Sequence, residues 1–185
     1  MPRQGLSRAK VLDAAVTLGN ERGLEALSLK GVAEILKVKP PSLYNHVTSL
    51  EDLQYALTLR GLTALSQVLQ RATVGVAGKP ALYALARAYR RFATESPSLF
   101  WATLRTVEDR DEEVKRAGYE VLSLMQTVLA GFGLHGDDAL HAARALRASL
   151  GGFVLLELSS GFGVALSVEE SFERLLHLLA EGFSS

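Results

Sequence analysis

Apolar residues along this chain recur at intervals of three and four, and almost nowhere alternate with polar ones; the pattern predicts helices and no sheet. Val11, Leu12, Ala15 and Leu18 form one stripe that opens behind Ser7, a capping residue, and stops near Gly23. Behind Ser28, a shorter stripe of Leu29, Val32, Ile35 and Leu36 predicts a second helix. Residues 37–39 break the pattern. Pro40 and Pro41 then suit the first turn of a third helix, barely two turns long, that ends at about His46. Ser49 and Asp52 form a capping box for a fourth helix, which carries Leu50, Leu53, Leu57 and Leu62 to about Ala72.

The punctuation continues in the same style. A helix is expected from Pro80 to about Glu95, stopped by Pro97, with a short one across "SLFWATLRTV". Asp109, Asp111, Glu112 and Glu113 sit where they complement the dipole at the start of the next, which runs to Gly131 or Gly133. Asp137 and Asp138 open a long helix reaching Ser160, with Gly161 and Gly163 as its stop. Ser167 and Glu170 open a last helix to about Phe183. The expectation is an all-α chain of about nine helices, without an internal repeat.

Composition narrows the class. With 185 residues, 48% of them hydrophobic and 22% charged, the chain is globular rather than disordered. The absence of Cys leaves no disulfide framework and no thiolate metal site, which fits a reducing cytoplasm. The opening "MPRQGLSRAK" is basic but lacks the apolar core of a signal peptide. The most apolar run, "GGFVLLELSSGFGVAL", is interrupted by Glu157, serines and glycines, so a soluble protein without a membrane span is expected. The zero net charge hides an asymmetry: residues 1–47 carry seven Lys/Arg against four acids, so the N-terminal end is suited to a polyanion.

Catalytic and metal chemistry find little support. Of His46, His135, His141 and His177, only His141 follows a carboxylate, Asp138, at the i, i+3 spacing, and a di-iron bundle needs far more. No zinc-protease motif, nucleophile elbow or phosphate-cradling loop is present. Neither an enzyme nor a bound cofactor or metal is expected.

The first three helices point elsewhere. A capped helix, a three-residue turn and a short polar helix, packed on a preceding helix, make a helix-turn-helix. Its second helix enters the major groove, so Pro40, Pro41, Ser42, Tyr44 and Asn45 are candidates to meet DNA. An asparagine can pair bidentately with adenine, and a proline can touch a thymine methyl. Tyr44 and His46 can donate to phosphates, and Lys30 and Lys39 can neutralise them. Leu43 and Val47 are the expected inward anchors.

"VLDAA" at 11–15, the pattern G-x-x-x-L-S-L-x-x-V-A over 23–33 and "SLYNHV" at 42–47 resemble the N-terminal domain of the TetR family of transcriptional regulators. The resemblance covers about 50 residues and implies that residues 1–50 bind double-stranded operator DNA, and residues 51–185 bind an effector and dimerise. It implies a homodimeric, ligand-responsive regulator, a repressor by type. Lys37 stands where the family usually has Gly, Lys39 where it has a Ser or Thr cap, and Leu50 where it has a phosphate-binding Lys. These departures leave a second reading open: a helical ligand-binding or protein-interaction module whose helix-turn-helix is vestigial.

Two features of the C-terminal part bear on partners. The helix through residues 150–158 is apolar nearly all round and must be covered on more than one side. Gly151, Gly152, Leu155, Phe172, Leu175, Leu176 and Leu179 are therefore the expected homodimer interface. Aromatics gather in the middle helices, and Tyr89, Phe100, Trp101, Leu104, Tyr119 and Met125 are candidates to line a pocket for a small apolar or planar effector.

Overall fold

A computed structural model describes residues 5–104 and 112–184. Over these residues the chain forms eight α-helices and two 3-10 helices, with no strand. The α-helices are α1 (Arg8–Arg22), α2 (Leu29–Leu36), α3 (Leu50–Thr73), α4 (Gly78–Glu95), α5 (Pro97–Thr103), α6 (Glu112–Ala130), α7 (Gly136–Leu158) and α8 (Val168–Phe183). The 3-10 helices are Leu24–Ala26, which the hydrophobic pattern does not foreshadow, and Pro40–Asn45, which replaces the expected third helix. Asp109 and Asp111 of the acidic cluster lie outside the described residues, while Glu112 and Glu113 occupy the first turn of α6.

Serine caps fix four of the eight α-helix starts. The hydroxyls of Ser7, Ser28, Ser49 and Ser167 accept from the backbone N–H groups of Lys10, Gly31, Asp52 and Glu170 respectively. Each satisfies one of the donors that a helix start leaves without an internal partner. Two ends differ from expectation. Lys37 caps α2 in the left-handed region (φ 54°, ψ 41°), with Lys37 N–H donating to Glu34 and Val38 N–H to Ala33. At α7 the left-handed residue is Ser160 (φ 56°), not Gly161, whose N–H donates to the Leu156 carbonyl at 2.7 Å. Both ends have the Schellman bond pattern, with a side chain where glycine is the usual occupant.

The helices cluster into two units. The first comprises Met1–Leu62 with Ser96–Val114, the second Thr63–Glu95 with Lys115–Ser185. In the first, α1, α2 and α5 pack around Val11, Ala15, Leu18, Val32 and Phe100. The inward stripe of α2 is narrower than its sequence pattern. Gly31, Val32 and Ala33 are buried, whereas Leu29, Ile35 and Leu36 are only partly covered. The cause is close approach: a Cβ on Gly31 would sit 2.8 Å from Leu18. The second unit packs α4 against α7 and α8, with Leu82, Leu85, Leu146, Leu150, Val154, Phe172 and Leu176 buried.

Candidate nucleic-acid interface

The helix-turn-helix lies in the first unit, and the local sequence explains its shape. Pro40 and Pro41 supply no N–H, which costs nothing in a first turn. Six residues then form a 3-10 helix, closed by Ser42 N–H to the Lys39 carbonyl at 2.9 Å and His46 N–H to the Leu43 carbonyl at 2.8 Å. A 3-10 helix has three residues per turn, so side chains three apart stand in columns. Pro40, Leu43 and His46 share one column, in which Pro40 is exposed, Leu43 fully buried and His46 half-buried. Pro41 and Tyr44 form a second column, Ser42 and Asn45 a third, and all four are exposed, Tyr44 at 57%. Val47, also fully buried, anchors the end of the segment. Burying such a side chain contributes about 1.5–3 kcal/mol, so two of them hold the rotation that presents the outer columns.

The lysines stand beside this surface. Lys30 is exposed in the first turn of α2, and Lys39 is exposed at the N-cap of the 3-10 helix, where no side chain caps. Lys37, exposed in the turn, adds a third cation there that the sequence reading noted only as a departure. The eight residues singled out, from Lys30 to His46, thus occupy one helix-turn-helix, with His46 turned furthest inward.

Two residues that the sequence reading did not connect meet at the end of this segment. Arg8 Nη2 donates to Asp52 Oδ1 at 2.7 Å, and Arg8 Nη1 donates to the His46 carbonyl at 2.8 Å and to Asp52 Oδ2 at 3.3 Å. Asp52 Oδ2 also accepts from Thr48 N–H at 2.8 Å. The capping box of α3 is thus displaced by one residue, since Asp52 reaches back to Thr48 rather than to Ser49. The hydrogen bond from Arg8 holds the Asp52 carboxyl below its ordinary range, against the opposing effect of burial.

The other expected sites fare unevenly. Tyr89 and Met125 are buried in the second unit and Phe100 in the first, each fully packed. Burial pushes the Tyr89 hydroxyl up to about 12, with Arg147 opposing. Trp101 is 42% exposed, and Leu104 is partly covered. Tyr119, 68% exposed, lines an open groove of about 580 Å³ with Ser66 and Gln70 of α3 and Arg116, Glu120 and Ser123 of α6. These residues do not form one enclosed apolar pocket. Of the interface residues, Gly151, Phe172 and Leu176 are buried within the chain's own second unit and are not available to a partner. Gly152 is exposed with open space beyond its Cα, and Leu155, Leu175 and Leu179 are partly exposed. Leu156 and Leu178, which were not in that set, are more exposed than any of its leucines. Among the described residues, no cluster of His, Asp and Glu could hold a metal ion, and no helix is long and apolar enough to cross a membrane.

Known proteins share both sequence and fold with this chain. The family model described as tetracyclin repressor-like, C-terminal domain, matches residues 82–179. The HTH-type transcriptional regulator YobS of Bacillus subtilis (strain 168) is 31% identical over 182 residues, which cover 98% of this chain and 94% of that protein. The TetR family transcriptional regulator PfmR from Thermus thermophilus superposes with a TM-score of 0.71 at 22% identity, over 92% of this chain and 97% of that one. A TetR variant from Acinetobacter baumannii AYE, solved in complex with minocycline, gives a TM-score of 0.72 at 24% identity, over 97% of each chain. The likeness to these two structures is one of fold.

Proposed function

Because the chain belongs to the TetR family of helix-turn-helix transcriptional regulators, we propose that it is a repressor that binds palindromic operator DNA as a homodimer and yields to a small effector. The observation that carries this reading is the pair of exposed columns on the Pro40–Asn45 helix, anchored from behind by Leu43 and Val47. Ser42 and Asn45 stand about 6 Å apart along a 3-10 axis, close to two base-pair steps of 3.4 Å, so both can reach base edges. Tyr44, in the neighbouring column, donates to phosphate, and Lys30 and Lys39 neutralise the flanking backbone. The test is selection from a random duplex pool with the full-length protein, followed by salt titration. Enriched palindromes whose half-sites lie about 34–36 Å apart, with affinity falling steeply in salt, are the expected result. Failure to enrich any duplex would leave the ligand-binding or protein-interaction module as the better reading.

The dimer reading rests on exposed apolar positions spaced along α7 and α8: Gly152, Leu155 and Leu156 on one, Leu175, Leu178 and Leu179 on the other. Their spacing gives each helix an apolar side outside the chain's own core, as helix pairing between two copies requires. For the effector, the groove at Tyr119 favours a planar molecule with polar edges: its face on the phenol ring, its hydrogen bonds to Ser66 and Gln70. The reading is supported by Ser66 and Gln70 lying on α3, the same continuous helix whose first turn carries Asp52. Titration of planar heteroaromatic compounds against the protein–DNA complex, with release of DNA as readout, tests it; binding without release would remove the regulatory role.

A further inference from the structure

We infer that Arg8 and Asp52 act as a strut that fixes the recognition segment to α3, so that the acid Asp52 strengthens DNA binding and Arg8 serves it without touching phosphate. The inference rests on the DNA-binding reading above.

The geometry concentrates three chain segments on one guanidinium. Arg8 is the first residue of α1, the His46 carbonyl is the end of the recognition segment, and Asp52 lies in the first turn of α3. Leu43 and Val47 fix the segment's rotation, but apolar anchors are non-directional and leave its C-terminal end able to pivot. The bond from Arg8 Nη1 to the His46 carbonyl removes that freedom, because the rest of the same planar fork is held on Asp52. Asp52 is itself held by Thr48 N–H at 2.8 Å, and its own N–H donates to Ser49 Oγ at 3.0 Å. A shift of the first turn of α3 must therefore carry the His46 carbonyl with it. An arginine beside a DNA-binding surface would ordinarily be read as a phosphate ligand. Here each terminal nitrogen donates to a protein oxygen, three bonds in all.

The two roles make opposite predictions. If Arg8 were a phosphate ligand restrained by Asp52, then Asp52→Asn would remove a negative charge beside a polyanion and tighten binding. A strut predicts the reverse. The probe is a duplex enriched from a random pool by the wild-type protein, titrated at several salt concentrations. Asp52→Asn and Arg8→Ala should each weaken binding about tenfold, the scale of one charge-assisted hydrogen bond. The slope of log affinity against log salt should stay at the wild-type value, whereas loss of a phosphate contact lowers it by about one. The double variant should be no weaker than either single one. Arg8→Lys keeps the charge and loses the fork, so it should resemble Arg8→Ala; it also serves where Arg8→Ala melts below the assay temperature. Lys39→Ala, a phosphate candidate, is the control expected to lower the slope. Equal or tighter binding by Asp52→Asn, or a slope lowered by Arg8→Ala, overturns the strut while leaving the DNA-binding reading intact. A wild-type protein that enriches no duplex overturns both.

Discussion

The guanidinium of Arg90 grips both carboxylate oxygens of Glu157, Nε to Oε2 at 2.8 Å and Nη2 to Oε1 at 2.7 Å. It also donates to Glu169 at 2.6 Å and lies 4.7 Å from the centre of the Phe172 ring. One side chain of α4 is thus tied to α7 and α8 at once, with only 15% of it exposed. Removing one partner of such a covered pair leaves the other without its counter-charge. Arg90→Met should cost about 3 kcal/mol in urea unfolding, and adding Glu157→Leu should recover part of that loss. Equal loss in the single and double variants would assign the cost to packing on Phe172 instead.

Glycine should be an improvement at two helix ends. Lys37 and Ser160 hold left-handed backbone without the freedom of glycine. The strain of about 1–2 kcal/mol exceeds the entropy cost of glycine, about 0.5–1. Lys37→Gly and Ser160→Gly should therefore each raise stability by about 0.5–1 kcal/mol, read from the urea midpoint. Lys37→Ala serves as a control and should show no gain, since it keeps the Cβ.

Position on α8 should separate assembly from folding. Leu178 is 69% exposed, whereas Leu176 is fully buried. Leu178→Asp is expected to keep the melting behaviour of an isolated chain yet sediment as a monomer at micromolar concentration. Leu176→Asp should instead lose several kcal/mol of stability, as an unpaired buried charge does, and fail to fold. A wild-type protein that sediments as a monomer would end the dimer reading at once.

Acid should act on the strut in a defined window. The folded-state pKa of Asp52 is depressed, so its stabilisation is present above the unfolded value of about 3.9 and is lost as pH falls through the folded one. The stability difference between wild type and Asp52→Asn should hence be constant near neutrality and shrink below about pH 4. A difference that stays flat through that range would mean the carboxylate gains nothing from Arg8.

The fold was legible where the deciding interaction is local. A serine three residues before the N–H it accepts is a short-range relation, and all four such caps were readable from spacing. Ends were harder, because packing rather than propensity decides which residue turns: Ser160 takes the left-handed place one residue before the expected Gly161. The residues proposed for recognition were singled out by type and order, but their columns follow from the 3-10 form, which periodicity over six residues cannot distinguish from an α-helix. Residues 150–158 of α7 are apolar nearly all round, so their pattern could not say which side meets the chain's own core. The Arg8–Asp52 pair spans 44 residues, and no spacing rule connects the two.

The helix-turn-helix unit is not a continuous stretch of chain, and this limits how it can be cut and grafted. Helix α5 belongs to it although 33 residues of the second unit intervene before Ser96. Ser98 N–H donates to Asn20 Oδ1 and Ser98 Oγ donates to the Val16 carbonyl, and Thr58 Oγ1 donates to the Ala102 carbonyl. Gly19 and Gly61 are notches shaped for α5: a Cβ at either would lie 2.7 Å from Ser98 Cβ or 2.6 Å from the Leu99 carbonyl oxygen. A fragment ending at residue 62 would open both notches to water and leave Asn20 Oδ1, the Val16 carbonyl and the Thr58 hydroxyl without these α5 partners. Chimeric regulators assembled by joining this helix-turn-helix unit to a foreign C-terminal unit must therefore carry α5 across with it, or supply a unit whose own short helix fits those two glycines.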